Sequence, residues 1–164
     1  MTEDSTRPDD GESRGVGWVI SQGALFAFFL VAVFLGDSID GLPGLIYVQS
    51  FGLLVSVFGA FFSGWSLMAH GWNVSPFPKP VEGAVLVDSG PYRYVRHPMY
   101  TGIVVFILGV GLAYANPTVL MSSLTFLVFF VAKTGREEEM LVGTLDGYRK
   151  YRSAVPWRII PYIV

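Results

Sequence analysis

With 164 residues the chain has room for one domain, and 52% of them are hydrophobic, 15% aromatic and 15% charged, at a mean hydropathy of +0.50. That composition excludes an ordinary soluble fold, and the formal net charge of −2 argues against a nucleic-acid binder, which needs a basic face. Cysteine is absent, which removes disulfides, thiolate metal sites and a covalent thiol nucleophile.

Residues 1–14 are polar, mostly acidic and without apolar periodicity, so they are expected to form a disordered tail. An acidic start is the wrong kind for a secretory signal, and the apolar segment after it is expected to stay in the mature protein as part of a single domain over 15–164. Three stretches then carry no Asp, Glu, Lys or Arg. Residues 15–36 suffice for a helix across a hydrocarbon core of about 30 Å. The stretch 41–78 is punctuated by Pro43 and Gly44, so its helix is expected over 45–69, before His70-Gly71-Trp72-Asn73 ends it. The stretch 98–132 is too long for one ordinary crossing, and Asn116-Pro117 near its middle favours a turn. It divides into helices at 100–115 and 118–133, each about 24 Å long at 1.5 Å per residue. Arms this short form a hairpin that barely spans the bilayer or re-enters it, and Gly102, Gly109 and Gly111 allow close backbone approach. The expected fold is an all-α, polytopic membrane bundle of four transmembrane segments, the last two a short hairpin, with a cytoplasmic carboxy-terminal helix.

The 11 lysines and arginines set the orientation. Arg7 and Arg14 precede the first segment, Lys79, Arg93 and Arg96 lie between the second and third, and Lys133, Arg136, Arg149, Lys150, Arg152 and Arg158 follow the fourth. The connections at 37–44 and around Asn116 have none. Positive residues favour the cytoplasmic side, so both termini are expected there, and so is any chemistry.

Two polar stretches face that side. The first ends in Asp88-Ser89-Gly90-Pro91-Tyr92-Arg93-Tyr94-Val95-Arg96-His97-Pro98-Met99-Tyr100-Thr101-Gly102. Pro98 suits the first turn of the third helix, whose free N–H groups and positive dipole end beside Arg93, Arg96 and His97 make a candidate anion site. Arginine and tyrosine at a helix end are also ordinary interfacial anchors, which is the reading that physics alone favours. The second stretch starts at Arg136-Glu137-Glu138-Glu139. Read as a helix, it places Met140, Leu141, Thr144, Leu145, Tyr148 and Tyr151 on one stripe, with Glu137 near its centre, Glu138 at its edge and Glu139 opposite. A carboxylate on such a stripe at the membrane mouth needs a partner or a ligand, although acidic residues also begin solvated helices. Gly143 and Gly147 weaken the helical reading. His70 and His97 have no metal-ligand spacing, and His70 reads as an interfacial residue. No P-loop, dinucleotide fingerprint or nucleophile elbow occurs.

Together the two stretches resemble the isoprenylcysteine carboxyl methyltransferase and phospholipid N-methyltransferase superfamily of membrane methyltransferases. The resemblance rests on Gly90-Pro91-Tyr92-Arg93-Tyr94-Val95-Arg96-His97-Pro98-Met99-Tyr100-Thr101-Gly102, then Glu137-Glu138, Leu141, Tyr148, Tyr151, Val155-Pro156 and Pro161, with a similar lead-in at 73–80. It covers about 71–161. It implies S-adenosylmethionine bound at the cytoplasmic ends of the last two membrane helices, under the carboxy-terminal segment. Tyr94, Arg96, His97, Pro98, Tyr100, Gly102, Glu137 and Glu138 are the implied cofactor-binding residues. Arg96 and His97 would suit the cofactor's carboxylate, and Glu137 and Glu138 its ammonium or ribose hydroxyls. Tyr100 and Glu138 are the candidate catalytic groups, should the acceptor need to lose a proton. The spacing from Leu141 to Tyr148 is one residue shorter than the commonest family pattern. Trp157 stands where an arginine often follows the proline, with Arg158 one position later.

The expected activity is methyl transfer to a lipophilic small molecule or membrane lipid, with no nucleic-acid partner and no metal. Family habit for so short a chain suggests a prokaryotic plasma membrane. Two other readings stay open: a reductase related to the sterol reductases, and a non-catalytic membrane protein that binds a ligand or scaffolds a partner.

Overall fold

The computed structural model describes residues 15–71 and 85–163; the expected tail at 1–14 and the lead-in at 73–80 lie outside them. Among the described residues are five α-helices: α1 (Val16–Leu35), α2 (Leu45–His70), α3 (Pro98–Ala113), α4 (Pro117–Thr144) and α5 (Tyr148–Ala154). A 3-10 turn, Gly90–Arg93, precedes α3. Helices α1, α2 and α4 are long and apolar enough to cross a membrane, whereas α3 has 16 residues. Four crossing segments were expected, so three are long enough and α3 is the short one.

The protein itself buries only 11% of the most apolar window of α1 and 17% of that of α2. Phe34 and Leu35 are 79% exposed, and Phe51, Leu54, Phe58 and Phe61 also point outward. A contiguous surface of this kind is stable only against lipid. The protein is an integral membrane protein.

Small residues set the packing of α2 on α3. Gly59 lies against the backbone of Phe106, Gly102 against Ser63 and the Gly59 carbonyl, and Gly109 against the Ser56 backbone and the Gly52 carbonyl. Lipid tails are as apolar as leucine, so helices in a membrane gain contact chiefly by bringing backbones together. Two serines of α2 are satisfied within their own helix, Ser56 Oγ donating to the Leu53 carbonyl at 2.8 Å and Ser66 Oγ to the Phe62 carbonyl at 2.7 Å, while Ser63 Oγ donates across the seam to the Met99 carbonyl of α3 at 3.3 Å.

The α3–α4 hairpin turns at Ala115-Asn116. Asn116 is buried and caps α4 by accepting from the Val119 amide at 3.1 Å, while its Nδ2 donates to the Ala32 carbonyl at 2.9 Å and so ties down the end of α1. The core below holds Phe29 and Ala32 of α1, Val104 and Ile107 of α3, Val119, Phe126 and Phe130 of α4, and Ile159.

Helix α4 departs from the expected short arm ending at Lys133 followed by a separate helix. It runs unbroken for 28 residues, because neither proline nor a left-handed residue interrupts 118–144. The break comes later, where Leu145 turns extended and Gly147 takes the left-handed conformation (φ 81°) that starts α5. The single stripe projected through Tyr148 and Tyr151 is therefore two helices. From the Asn116 turn to Glu137, α4 rises about 31 Å, which puts the glutamates at the opposite membrane face.

Candidate functional site

The carboxy-terminal segment after α5 folds back onto the start of α3. The Arg96 and His97 amides donate to the Trp157 and Arg158 carbonyls, each at 2.9 Å, and Thr101 Oγ1 donates to the Ile159 carbonyl at 2.6 Å. Ile159 is fully buried in the hydrophobic core shared by α1, α3 and α4. This clasp sets Arg96, His97 and Tyr100 against the carboxy-terminal part of α4.

Glu138 is the most enclosed carboxylate there, at 2% exposure. Arg96 grips it with two hydrogen bonds, Nε to Oε1 at 2.7 Å and Nη2 to Oε2 at 3.0 Å. Arg96 Nη1 donates to the Val155 and Pro156 carbonyls at 2.8 and 2.7 Å. His97 Nε2 lies 3.2 Å from Glu138 Oε1, and Arg158 Nε and Arg152 Nε stand 3.6 and 3.7 Å from its oxygens. Four cationic or potentially cationic side chains thus converge on one carboxylate. The resemblance implied that Arg96 would hold the cofactor's carboxylate; its Nε and Nη1 groups, with one N–H of Nη2, are instead committed within the chain.

Glu137 is held more loosely. Tyr100 Oη donates to its Oε1 at 2.8 Å, His97 Nδ1 is 3.5 Å away and Lys133 Nζ is 3.8 Å away. Tyr100 stacks between His97 and Phe130, with centroids at 5.8 and 4.3 Å. Lys133, expected at a membrane boundary, is instead 1% exposed; its Nζ donates to Gln22 Oε1 of α1 at 2.6 Å and sits 5.3 Å from the Tyr100 ring centre. Glu139 points to water and pairs with exposed Arg136 at 3.2 Å. The projection placed Glu139 on that side, but it set Glu138 at the border, where the structure makes it the most enclosed of the three.

The other implied cofactor residues divide. Pro98 starts α3 and is buried. Gly102 faces α2, where its missing side chain admits the Ser63 backbone, so its role is packing. Tyr94 is 62% exposed and stands outside the cluster. Beside the charged groups lies a second cluster of Tyr92, Tyr148, Tyr151 and Val155, in which Tyr151 Oη donates to the Tyr92 carbonyl at 2.8 Å. Burial pushes all three phenols above their ordinary range. Sequence reasoning missed Gln22 and Lys133 as partners of the site and left Arg152 and Arg158 unassigned. A lone glutamine on an otherwise lipid-facing helix was the available signal for the first pair.

The arrangement offers a proton-donating phenol, partly engaged guanidinium groups and a carboxylate with spare accepting capacity at a membrane face. Among the described residues no group of histidine, aspartate and glutamate side chains is arranged to hold a metal ion.

A family model described as phospholipid methyltransferase matches residues 47–146. Over 74 residues the chain is 39% identical to the protein-S-isoprenylcysteine O-methyltransferase of Schizosaccharomyces pombe, covering 44% of this chain and 31% of that one. Over 166 aligned positions it is 26% identical to the Delta(14)-sterol reductase of Methylotuvimicrobium alcaliphilum, covering 90% and 38%. Among solved structures, the eukaryotic intramembrane Ras methyltransferase (isoprenylcysteine carboxyl methyltransferase) shares the fold, with a TM-score of 0.65 and 24% identity over 91% of this chain and 53% of that one. The chain spans about a third of the length of the curated relatives it matches, at 31% and 38%.

Proposed function

The chain belongs to the phospholipid methyltransferase family, and from that premise we propose that it transfers a methyl group from S-adenosylmethionine to a lipophilic acceptor at the cytoplasmic membrane face. The observation that carries this reading is the meeting of Arg96, His97 and Tyr100 with Glu137 and Glu138 at one end of the bundle.

The donor set fits the cofactor's chemistry. Glu137 accepts from Tyr100, with His97 Nδ1 and Lys133 Nζ farther off at 3.5 and 3.8 Å, so it keeps lone pairs that can accept from an ammonium group. Arg152 and Arg158 lie beyond hydrogen-bond distance of Glu138 and are the guanidinium groups able to turn to a carboxylate. When bound, the cofactor supplies an electrophilic methyl group on a sulfonium. Methyl transfer is an in-line displacement, so the chain's contribution is close approach and exclusion of water. Glu138 is poorly placed as a base because Arg96 occupies both its oxygens, and Tyr100 already donates to Glu137. Both act as positioning residues.

Equilibrium titration of the purified protein in detergent tests this reading. S-adenosylmethionine is expected to bind and NADPH not to. Because the alignment to a sterol reductase extends over 90% of the chain, binding of NADPH alone would establish a reductase instead, and binding of neither a non-catalytic role. Glu137→Gln is expected to weaken S-adenosylmethionine by about 1.5–3 kcal/mol, the worth of a charge-assisted hydrogen bond, while Glu139→Gln leaves affinity unchanged.

Orientation follows from the cations. Arg93, Arg96, Lys133, Arg136, Arg149, Lys150, Arg152 and Arg158 lie toward one end of the bundle, and the connections at 37–44 and Asn116 carry none. Reporter tags at both termini are expected to report cytoplasm, and a tag at 37–41 the opposite side. A terminus mapping outside would overturn this orientation.

A further inference from the structure

Tyr148, the first residue of α5, is 4% exposed, and its hydroxyl makes no hydrogen bond among the described residues. Glu138, Arg96 and Arg152 act on it electrostatically, and Arg96 approaches its oxygen from the donor side without reaching hydrogen-bond geometry. The arginines can only donate, and no acceptor, Glu138 included, stands within hydrogen-bond distance of the hydroxyl among the described residues, so the phenol proton has no acceptor. The contrast with Tyr151 is direct, since that hydroxyl donates to the Tyr92 carbonyl at 2.8 Å. Buried polar side-chain atoms in folded proteins are nearly always paired, and one that is not calls for a partner from elsewhere. Burial keeps the Tyr148 phenol protonated, so what it offers is a hydrogen-bond donor. The surroundings are aromatic and apolar: Tyr92, Tyr151 and Val155, with Leu141, Val142 and Leu145 packed against them.

We propose that Tyr148 is a cofactor-binding residue whose hydroxyl donates a hydrogen bond to the adenosine part of S-adenosylmethionine. A flat heteroaromatic base with ring-nitrogen acceptors matches a tyrosine- and leucine-lined wall, and the adjoining charged groups suit the amino-acid end. The inference rests on the methyltransferase reading above and adds a residue and a ligand part to it.

Tyr148→Phe removes one oxygen and keeps the ring. In the purified full-length protein, calorimetric titration is expected to show about tenfold weaker binding of S-adenosylmethionine, equivalent to about 1.4 kcal/mol. Without ligand the variant's Tm is expected to equal or exceed that of the wild type, because the substitution removes a buried hydroxyl that makes no hydrogen bond. The Tm gain on adding S-adenosylmethionine should shrink. Tyr151→Phe, which breaks an existing bond, should lower the ligand-free Tm instead. Competition by 5′-methylthioadenosine, which keeps the adenosine part and lacks the amino-acid end, should weaken about tenfold in Tyr148→Phe as well. Unchanged affinity in Tyr148→Phe, or a lowered ligand-free Tm with unchanged affinity, overturns the inference while leaving the methyltransferase reading intact. Weakened S-adenosylmethionine with unweakened 5′-methylthioadenosine overturns the assignment to adenosine. A wild type that binds no S-adenosylmethionine overturns the methyltransferase reading, and this inference with it.

Discussion

Replacing Arg96 with alanine is expected to lower the stability of the protein by about 3 kcal/mol, the lower end of the range for breaking a buried ion pair. The substitution leaves Glu138 at 2% exposure without its two short hydrogen bonds and strips the Val155 and Pro156 carbonyls of their donor. Three further groups near Glu138, His97, Arg152 and Arg158 at 3.2–3.7 Å, soften the loss. Arg96→Lys is expected to recover little, since one ammonium cannot reproduce a planar fork that meets a carboxylate and two carbonyls together. Glu138→Gln should destabilise in the same direction by leaving the buried guanidinium short of charge. Unfolding in detergent without ligand measures all three. If Arg96→Ala keeps its stability and loses only S-adenosylmethionine affinity, Arg96 is a ligand contact, as the family resemblance implied, and its side-chain bonds to Glu138, Val155 and Pro156 are not what holds the carboxy-terminal segment.

Gly109→Ala is expected to cost about 3 kcal/mol, at the upper end of the overpacking range. An added methyl at Gly109 would overlap the Ser56 amide nitrogen and Cα and crowd the Gly52 carbonyl. Those atoms belong to the backbone of α2, so no side chain can swing aside, and relief requires the two helices to part. Parting them also loosens the contacts at Gly59 and Gly102 along the same seam. Gly64 of α2 supplies the contrast: nothing lies within 4 Å of the position its Cβ would take, so Gly64→Ala should be neutral or stabilising by up to about 1 kcal/mol. Thermal unfolding of both variants in one detergent checks the pair. Equal stability would mean that α2 and α3 are not held at backbone contact.

The sequence by itself determined the apolar segments and where they begin. Their limits follow from local rules: left-handed glycines at 15 and 44, the cap at Asn116 with Pro117 behind it, and length set against bilayer thickness. Helical periodicity also placed Glu139 toward water, because facing is fixed once a helix is assumed. Only the tertiary structure decided where α4 ends. A polar residue such as Lys133 resembles a helix terminus until a partner on another helix is seen, and that partner, Gln22 of α1, is 111 positions away. The same holds for Arg96. Its string suggested a ligand contact, yet its donors go to α4 and to the segment that folds back after α5, a closure no spacing rule contains. Arg152 and Arg158 reach Glu138 and Tyr148 is left without an acceptor for one physical reason: pairing between distant elements depends on how the chain closes on itself, whereas periodicity and capping depend only on neighbours.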